Sequence, residues 1–386
     1  MYNDYNGEIH IDANNAMCEV NRDNFSFHTM EFTIKPCIND LLRVINYMKR
    51  NYGMREGTGL RKYTYFCWKV EHGVHIEIQI LNEGYKLKEK EWFHNMIKII
   101  VNPRMLIDER IEYYGIFEIS EENIKQLLYK LSLIPIKIGL TDHPVNFDRP
   151  WDKDILLTRI DLCVNLKFSN LADADLYFKL MKRGNGYRSF EEELEYSESA
   201  RRRIPHENAI VYEGCNQKIN FYHKVNQLKN LNLINDTPNY GVIRFELQLK
   251  RSLILLLLKD YTNGRLSNFL SIIGHISENR ITNCICTMFG SGNYYTLNGA
   301  IKFLEEAYTK GKINNAIFND MLGVLNIVNE KRSLKMANPE KTFGKNILKR
   351  FDRLNINPVT IPVRDIKENT FLPSIPKLMK NDSGYI

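Results

Sequence analysis

Apolar residues recur along this chain with two periods, and the periods predict its elements. Over residues 37–52, Ile38, Leu41, Leu42, Val44, Ile45 and Met48 fall at helical spacing, with Asn39 or Asp40 placed to cap. Residues 119–133, opening Ser120-Glu121-Glu122, and residues 171–182 predict two more helices, and 252–260 a third. A period of two governs 64–69, 74–80, 156–166 and 242–250 and predicts strands. His75, Glu77 and Gln79 share one face of the second of these. Arg159, Asp161, Cys163 and Asn165 oppose Ile160, Leu162 and Val164, and Arg244, Glu246, Gln248 and Lys250 oppose Ile243, Phe245, Leu247 and Leu249. Residues 96–101 are nearly all apolar, which predicts a strand buried on both faces and stopped at Asn102-Pro103.

The densest pattern lies between Asn208 and Lys250. Residues 209–212 and 219–224 alternate around a turn rich in Gly and Asn, which predicts a hairpin. On a strand, Tyr222 and Lys224 share a face opposite Phe221 and His223. Residues 183–207, acidic at 191–195 and basic at Arg201, Arg202 and Arg203, read as a solvated loop or mobile arm.

Strands separated by helices without strict β-α-β alternation predict an α+β fold with an antiparallel sheet. The domains expected are a polar lead-in at 1–30, a catalytic α+β unit at 31–265, a smaller, basic helical domain at 266–360 and a flexible tail at 361–386. The helices of that smaller domain are expected at 297–309, 315–328 and 343–354.

Composition narrows the function classes. At 386 residues and 44% hydrophobic content the chain can build a large core, and no apolar run approaches the ~20 residues of a membrane span. A polar, acidic N-terminus predicts no signal peptide, and seven scattered cysteines predict free thiols, so a cytoplasmic protein is expected. Cys284-x-Cys286 lacks the second pair a zinc site needs. The net charge of +7 permits a polyanionic partner without requiring one.

The polar strand faces carry the candidate chemistry. If His75/Glu77, Arg159/Asp161, Tyr222/Lys224 and Arg244/Glu246 lie in one sheet, carboxylates and a tyrosine converge. That set suits metal-assisted phosphodiester transfer, with Mg²⁺ or Mn²⁺ on carboxylate oxygens or an imidazole. A tyrosine hydroxyl, with an ordinary pKa near 10, needs such help to attack. The same alternation also belongs to any antiparallel sheet with one wet face. Glycine-rich phosphate loops and Gly-x-Ser-x-Gly are absent.

Three segments in order then carry a resemblance: Thr158-Arg159-Ile160-Asp161-Leu162, the Phe221-Tyr222-His223-Lys224 run and Val242-Ile243-Arg244-Phe245-Glu246. With Val211-Tyr212-Glu213-Gly214 before the second, the chain resembles the rolling-circle replication initiators, the family of the filamentous-phage gene II protein and plasmid replication initiation factors. The likeness spans about residues 95–255. The His-hydrophobic-His motif of the wider endonuclease superfamily is absent, and His75-Ile76-Glu77 is the nearest segment.

The resemblance implies a divergent Rep-like nuclease domain and a metal-dependent DNA nicking and rejoining enzyme of a phage or plasmid. It would act through a 5′-phosphotyrosyl intermediate in the bacterial cytoplasm. It implies Tyr222 as nucleophile, with Tyr212 as second choice, and Lys224 beside it. Asp161 and Glu246 would serve the metal, with Glu77 and His75 as further ligands. Arg159, Arg244, Arg201, Arg202, Arg203, Lys345, Lys349 and Arg350 would hold DNA. The partners implied are origin DNA, single-stranded or extruded as a hairpin, and a host helicase and polymerase. Two other classes remain open: a non-catalytic origin-binding replication protein, and a structural protein of a mobile element.

Overall fold

Alternation builds the sheet on which everything else is placed. A computed structural model describes residues 20–53, 58–59, 63–82, 95–108, 115–149, 155–187, 190–197, 201–234, 238–261, 264–338, 343, 345–362 and 371–380. Its elements begin β1 (Val20–Arg22), β2 (Ser26–Ile34), α1 (Ile38–Tyr52), β3 (Thr58–Gly59), β4 (Tyr63–Glu71), β5 (Val74–Leu81) and β6 (Met96–Val101). Next come α2 (Pro103–Ile107), α3 (Glu121–Lys137), β7 (Ile155–Phe168), α4 (Leu171–Lys182), β8 (Glu191–Glu192), β9 (Leu194–Ser197) and β10 (Arg202–Pro205). Then follow β11 (Ala209–Glu213), β12 (Gln217–His223), α5 (Lys224–Asn230), β13 (Gly241–Lys250), α6 (Arg251–Tyr261) and α7 (Leu266–Phe289). The last are β14 (Tyr294–Tyr295), α8 (Leu297–Thr309), α9 (Asn315–Lys331), α10 (Leu334–Ala337), α11 (Lys345–Arg353), β15 (Phe371–Leu372) and α12 (Ile375–Leu378).

Among the described residues, eleven strands form one sheet in the order β3-β4-β5-β6-β2-β7-β13-β12-β11-β8, with β1 also on β7. Every pairing in it is antiparallel. The fold is therefore α+β with one large antiparallel sheet. Its apolar face carries Trp68, Ile76, Ile99, Phe32, Ile160, Leu162, Phe245 and Phe221, all buried. Each such side chain contributes roughly 1.5–3 kcal/mol of burial. Helices cover that face: Phe178 of α4 meets His223 edge-on at 6.2 Å, and Phe289 of α7 meets Phe221 at 6.1 Å.

Two β-bulges interrupt the β2–β7 ladder. Phe27 pairs with Leu162 and Thr29 with Asp161, so His28 is an extra residue on β2. Glu31 pairs with Arg159 and Phe32 with Leu157, so Thr158 is an extra residue on β7.

Several expectations are corrected. The lead-in expected at 1–30 includes β1 and most of β2, a central strand; the rest of it, 1–19, lies outside the described residues. The boundary expected at 265/266 falls at the start of α7, which packs on β2, β7 and β13 instead of leaving the sheet. One hydrophobic core runs from Phe27 and Phe245 through Leu304, Met321 and Phe351. The tail is not free over 371–380: Leu372, Ile375 and Met379 are buried, and the Tyr177 hydroxyl donates to the Pro373 carbonyl at 3.0 Å. The loop expected at 183–207 contains the β9–β10 hairpin. Strand β6 alternates between half-buried and buried positions, so one of its faces is open. No helix among the described residues is long and apolar enough to cross a membrane.

Candidate active site

The polar face of the sheet gathers Tyr222, Arg244, Glu246, Asp161 and Arg159 because their strands are neighbours in register. Tyr222 pairs with Arg244 and Arg244 with Asn165; Asn220 pairs with Glu246 and Glu246 with Cys163. Lys224 does not extend the strand. His223 accepts a hydrogen bond from the Asn226 amide through Nδ1 and caps α5, so Lys224 opens a helix. Its ammonium still returns over the Tyr222 ring, 5.6 Å from the centroid, and donates to Gln227 Oε1 at 2.9 Å. Helix α5 packs against β13, and its Val225 and Leu228 are buried, as is Val242 on the polar face. That end of the polar face is therefore closed.

The Tyr222 hydroxyl donates to Glu246 Oε1 at 2.6 Å. Arg244 Nη1 lies 3.8 Å from the same oxygen. Arg244 is itself fully buried, with Nε donating to Asn165 Oδ1 at 2.8 Å and Nη2 to the Gly115 carbonyl at 3.3 Å. Arg159 clasps Asp161 with two hydrogen bonds, Nε to Oδ1 at 2.8 Å and Nη2 to Oδ2 at 2.5 Å.

The burial of these groups shifts their protonation. Desolvation and the Glu246 charge hold the Tyr222 hydroxyl well above its usual range. Desolvation, aided by the Arg244 charge, lowers Lys224 to about 8. Desolvation raises Asp161 to about 6 against the opposing pull of Arg159.

His28 is a site residue that the pattern reading missed. The bulge turns it toward Glu246, with Nδ1 3.9 Å from Oε1. The neighbouring contacts fix its tautomer. Asn102 caps α2, and its Oδ1 accepts from the Met105 amide at 3.2 Å. The Asn102 amide nitrogen therefore faces His28 Nε2, at 3.2 Å, and the imidazole proton sits on Nδ1, 2.9 Å from Thr29 Oγ1. Desolvation and the charges of Arg244, Lys224 and Arg159 keep this ring neutral, well below its usual pKa. The signal was present: Phe25, Phe27, Met30, Phe32 and Ile34 break a period of two by one residue at the bulge.

The other expected residues are dispersed. His75 and Glu77 are on the same sheet face but on β5, four strands from β13, and Glu77 lies 3.9 Å from Lys98. Tyr212 pairs with Ile219, which places it on the opposite face from Tyr222. There it packs under Lys335, which is ion-paired with Glu192 at 2.5 Å. Arg201 and Arg203 are exposed at the β9–β10 hairpin, and Lys349 and Arg350 are on α11; none joins the Tyr222 cluster. The side chains of Arg202 and Lys345 lie outside the described residues.

A hard divalent cation does not fit this arrangement. Both Asp161 oxygens are held by Arg159, Glu246 Oε1 is held by Tyr222, and Arg244 lies 3.8 Å from that same Glu246 oxygen. No group of three or more His, Cys, Asp or Glu residues that could hold a metal is present among the described residues.

No family model matches the chain, and no curated protein does. Among solved structures, the chain is similar to one described as the rolling circle replication initiator protein from Geobacillus stearothermophilus. Identity is 11% and the TM-score 0.27, over 70% of this chain and 86% of that one. A likeness at that score bears neither on the fold nor on what the chain does.

Proposed function

We propose that the protein nicks and rejoins a DNA strand by tyrosine transesterification, as a replication initiator would. The observation that carries this reading is the Tyr222 hydroxyl held on Glu246 at 2.6 Å beneath the Lys224 ammonium. A phenol with a raised pKa is a poor nucleophile unless a base takes its proton during attack, and Glu246 is hydrogen-bonded to that proton. In the step proposed, Tyr222 Oη bonds to phosphorus while the bond to the 3′-oxygen breaks. The phenolic proton passes to Glu246, and the 3′-oxygen takes a proton from Lys224 or water. The chain keeps a 5′-phosphotyrosyl bond and the DNA a 3′-hydroxyl; joining is the reverse.

Lys224, Arg159 and Arg244 supply positive charge where the phosphorane would develop negative charge. Arg159 and His28 are half-buried, so substrate enters from their side and not past α5. The order of the Arg-Ile-Asp, Phe-Tyr-His-Lys and Arg-Phe-Glu segments agrees with this reading.

One observation favours a second reading. Tyr222 is only 4% exposed, which also suits a structural tyrosine in a DNA-binding protein without catalysis. Labelled single-stranded origin DNA incubated with wild type and Tyr222→Phe, then run on a denaturing gel, separates the two. Nicking predicts labelled DNA at protein size with wild type alone. Binding without such a band, in every divalent cation and in chelator, leaves the second reading.

A further inference from the structure

We infer that a cleft on the same sheet face, between β2 and β4, is a subsite for a nucleotide of the single strand flanking the scissile phosphate; this rests on the nicking reading. The cleft has a volume of about 210 Å³ and is lined by Thr29, Lys69, His75, Ile100, Asn102 and Met105, with Gly73 and Val74 at its end.

Its position ties it to the Tyr222 cluster. Thr29 and Asn102 are the two residues that hold His28, and His28 faces Glu246. Cross-strand pairing runs His75–Ile100–Glu31–Arg159, so the cleft and Arg159 lie in one row across the sheet. Strand β5 is four strand spacings from β13, about 19 Å. At the ~3.4 Å rise of stacked nucleotides, that is within about six nucleotides, and fewer if the strand is extended.

Its chemistry suits a nucleotide. Ile100 and Met105 offer an apolar surface to a base, while the exposed Lys69 and His75 stand where a phosphate and a base edge would meet them. The cleft's far wall continues along β4, where Lys69, Cys67, Tyr65 and Tyr63 share the face by alternation. Tyr63 and Tyr65 are half-buried and meet edge-on, their centroids 6.3 Å apart, as an aromatic surface for further bases. Gly73 makes the cleft possible: its φ is +76°, and a Cβ there would lie 2.7 Å from Met105 Cβ and 2.8 Å from the Asn102 carbonyl oxygen. The β4–β5 turn can thus close onto the start of α2.

The test uses the full chain and single-stranded oligonucleotides extending to either side of the nick, with binding read by fluorescence anisotropy over a salt series. Lys69→Gln combined with His75→Ala is compared with wild type and with Lys125→Gln, a control on the exposed surface of α3. The expected result is a loss of about five- to tenfold in affinity for oligonucleotides long enough to reach the cleft. The shorter ones lose nothing, and the salt slope falls by about 0.7 for the lost cation. Equal binding by the cleft variant, while wild type still forms its covalent adduct, overturns the subsite and leaves nicking intact. An equal loss with Lys125→Gln also overturns it, because the effect is then general charge. Neither adduct nor binding in wild type removes the nicking reading, and the subsite with it.

Discussion

The Tyr222 hydroxyl and the Glu246 carboxylate meet at 2.6 Å, from neighbouring strands and diagonal positions of one ladder. The pair is buried, and Arg244 lies 3.8 Å from the oxygen that accepts the bond. In the proposed reaction that carboxylate is the base and the Tyr222 oxygen, the one atom it faces, is the nucleophile.

Glu246→Gln keeps the shape and still accepts the Tyr222 hydrogen bond, but it takes no proton. The expected outcome is a fall of about 10²- to 10⁴-fold in single-turnover adduct formation, with DNA affinity unchanged. An undiminished rate would show that another group removes the proton.

Lys224 titrates at about 8, so its charge is present below that pH and lost as pH rises through it. If the ammonium holds the phosphate, adduct formation declines above pH about 8. Lys224→Arg, with a guanidinium that stays charged, should hold its rate through pH 9. Lys224→Gln should lose of the order of 10²-fold at neutral pH. Identical pH profiles for wild type and Lys224→Arg would contradict this role.

Asp161, raised to about 6 in the fold from its ordinary 3.8, binds more protons folded than unfolded between those values. Its contribution therefore weakens stability as pH climbs through that window. Thermal melts of Asp161→Asn and wild type at pH 4 to 7 should show the variant gaining relative stability with pH, levelling off above about 6. A difference independent of pH would contradict the raised pKa.

Arg244→Met removes the donor to Asn165 and Gly115 and the cation nearest Glu246. Breaking such a buried pair costs about 3–5 kcal/mol. Urea unfolding should show a lower midpoint with an unchanged slope; a loss below ~1 kcal/mol would mean that the buried charge is relieved elsewhere.

Much of this was legible in the sequence. Period-two alternation located β4, β5, β7, β12 and β13 and assigned Asp161, Arg244 and Glu246 to the polar face on which they lie. What stayed hidden depended on strand order and on one-residue irregularities. The bulge at His28 shifts β2 out of strict alternation, and β2 went unread with it. Nothing in 74–80 says that two strands, β6 and β2, separate His75 and Glu77 from β7. The Tyr222–Lys224 spacing suggested a shared strand face, but the cap at His223 turns the chain into α5, and only the length of the lysine brings its charge back. Helix α7 packs on β2, β7 and β13 of the sheet and against α3 and α12, and nothing in the pattern beyond residue 265 ties that stretch to the sheet.

The most direct measurement of the central claim is to locate the phosphate on the protein. Wild-type protein is trapped on single-stranded origin DNA, the adduct is digested with protease and nuclease, and the modified peptide is sequenced by mass spectrometry. The account predicts a nucleotide on Tyr222, and adducts unchanged in Tyr212→Phe because Tyr212 lies on the opposite face of the sheet. A nucleotide on Tyr212 or on any other residue would contradict it.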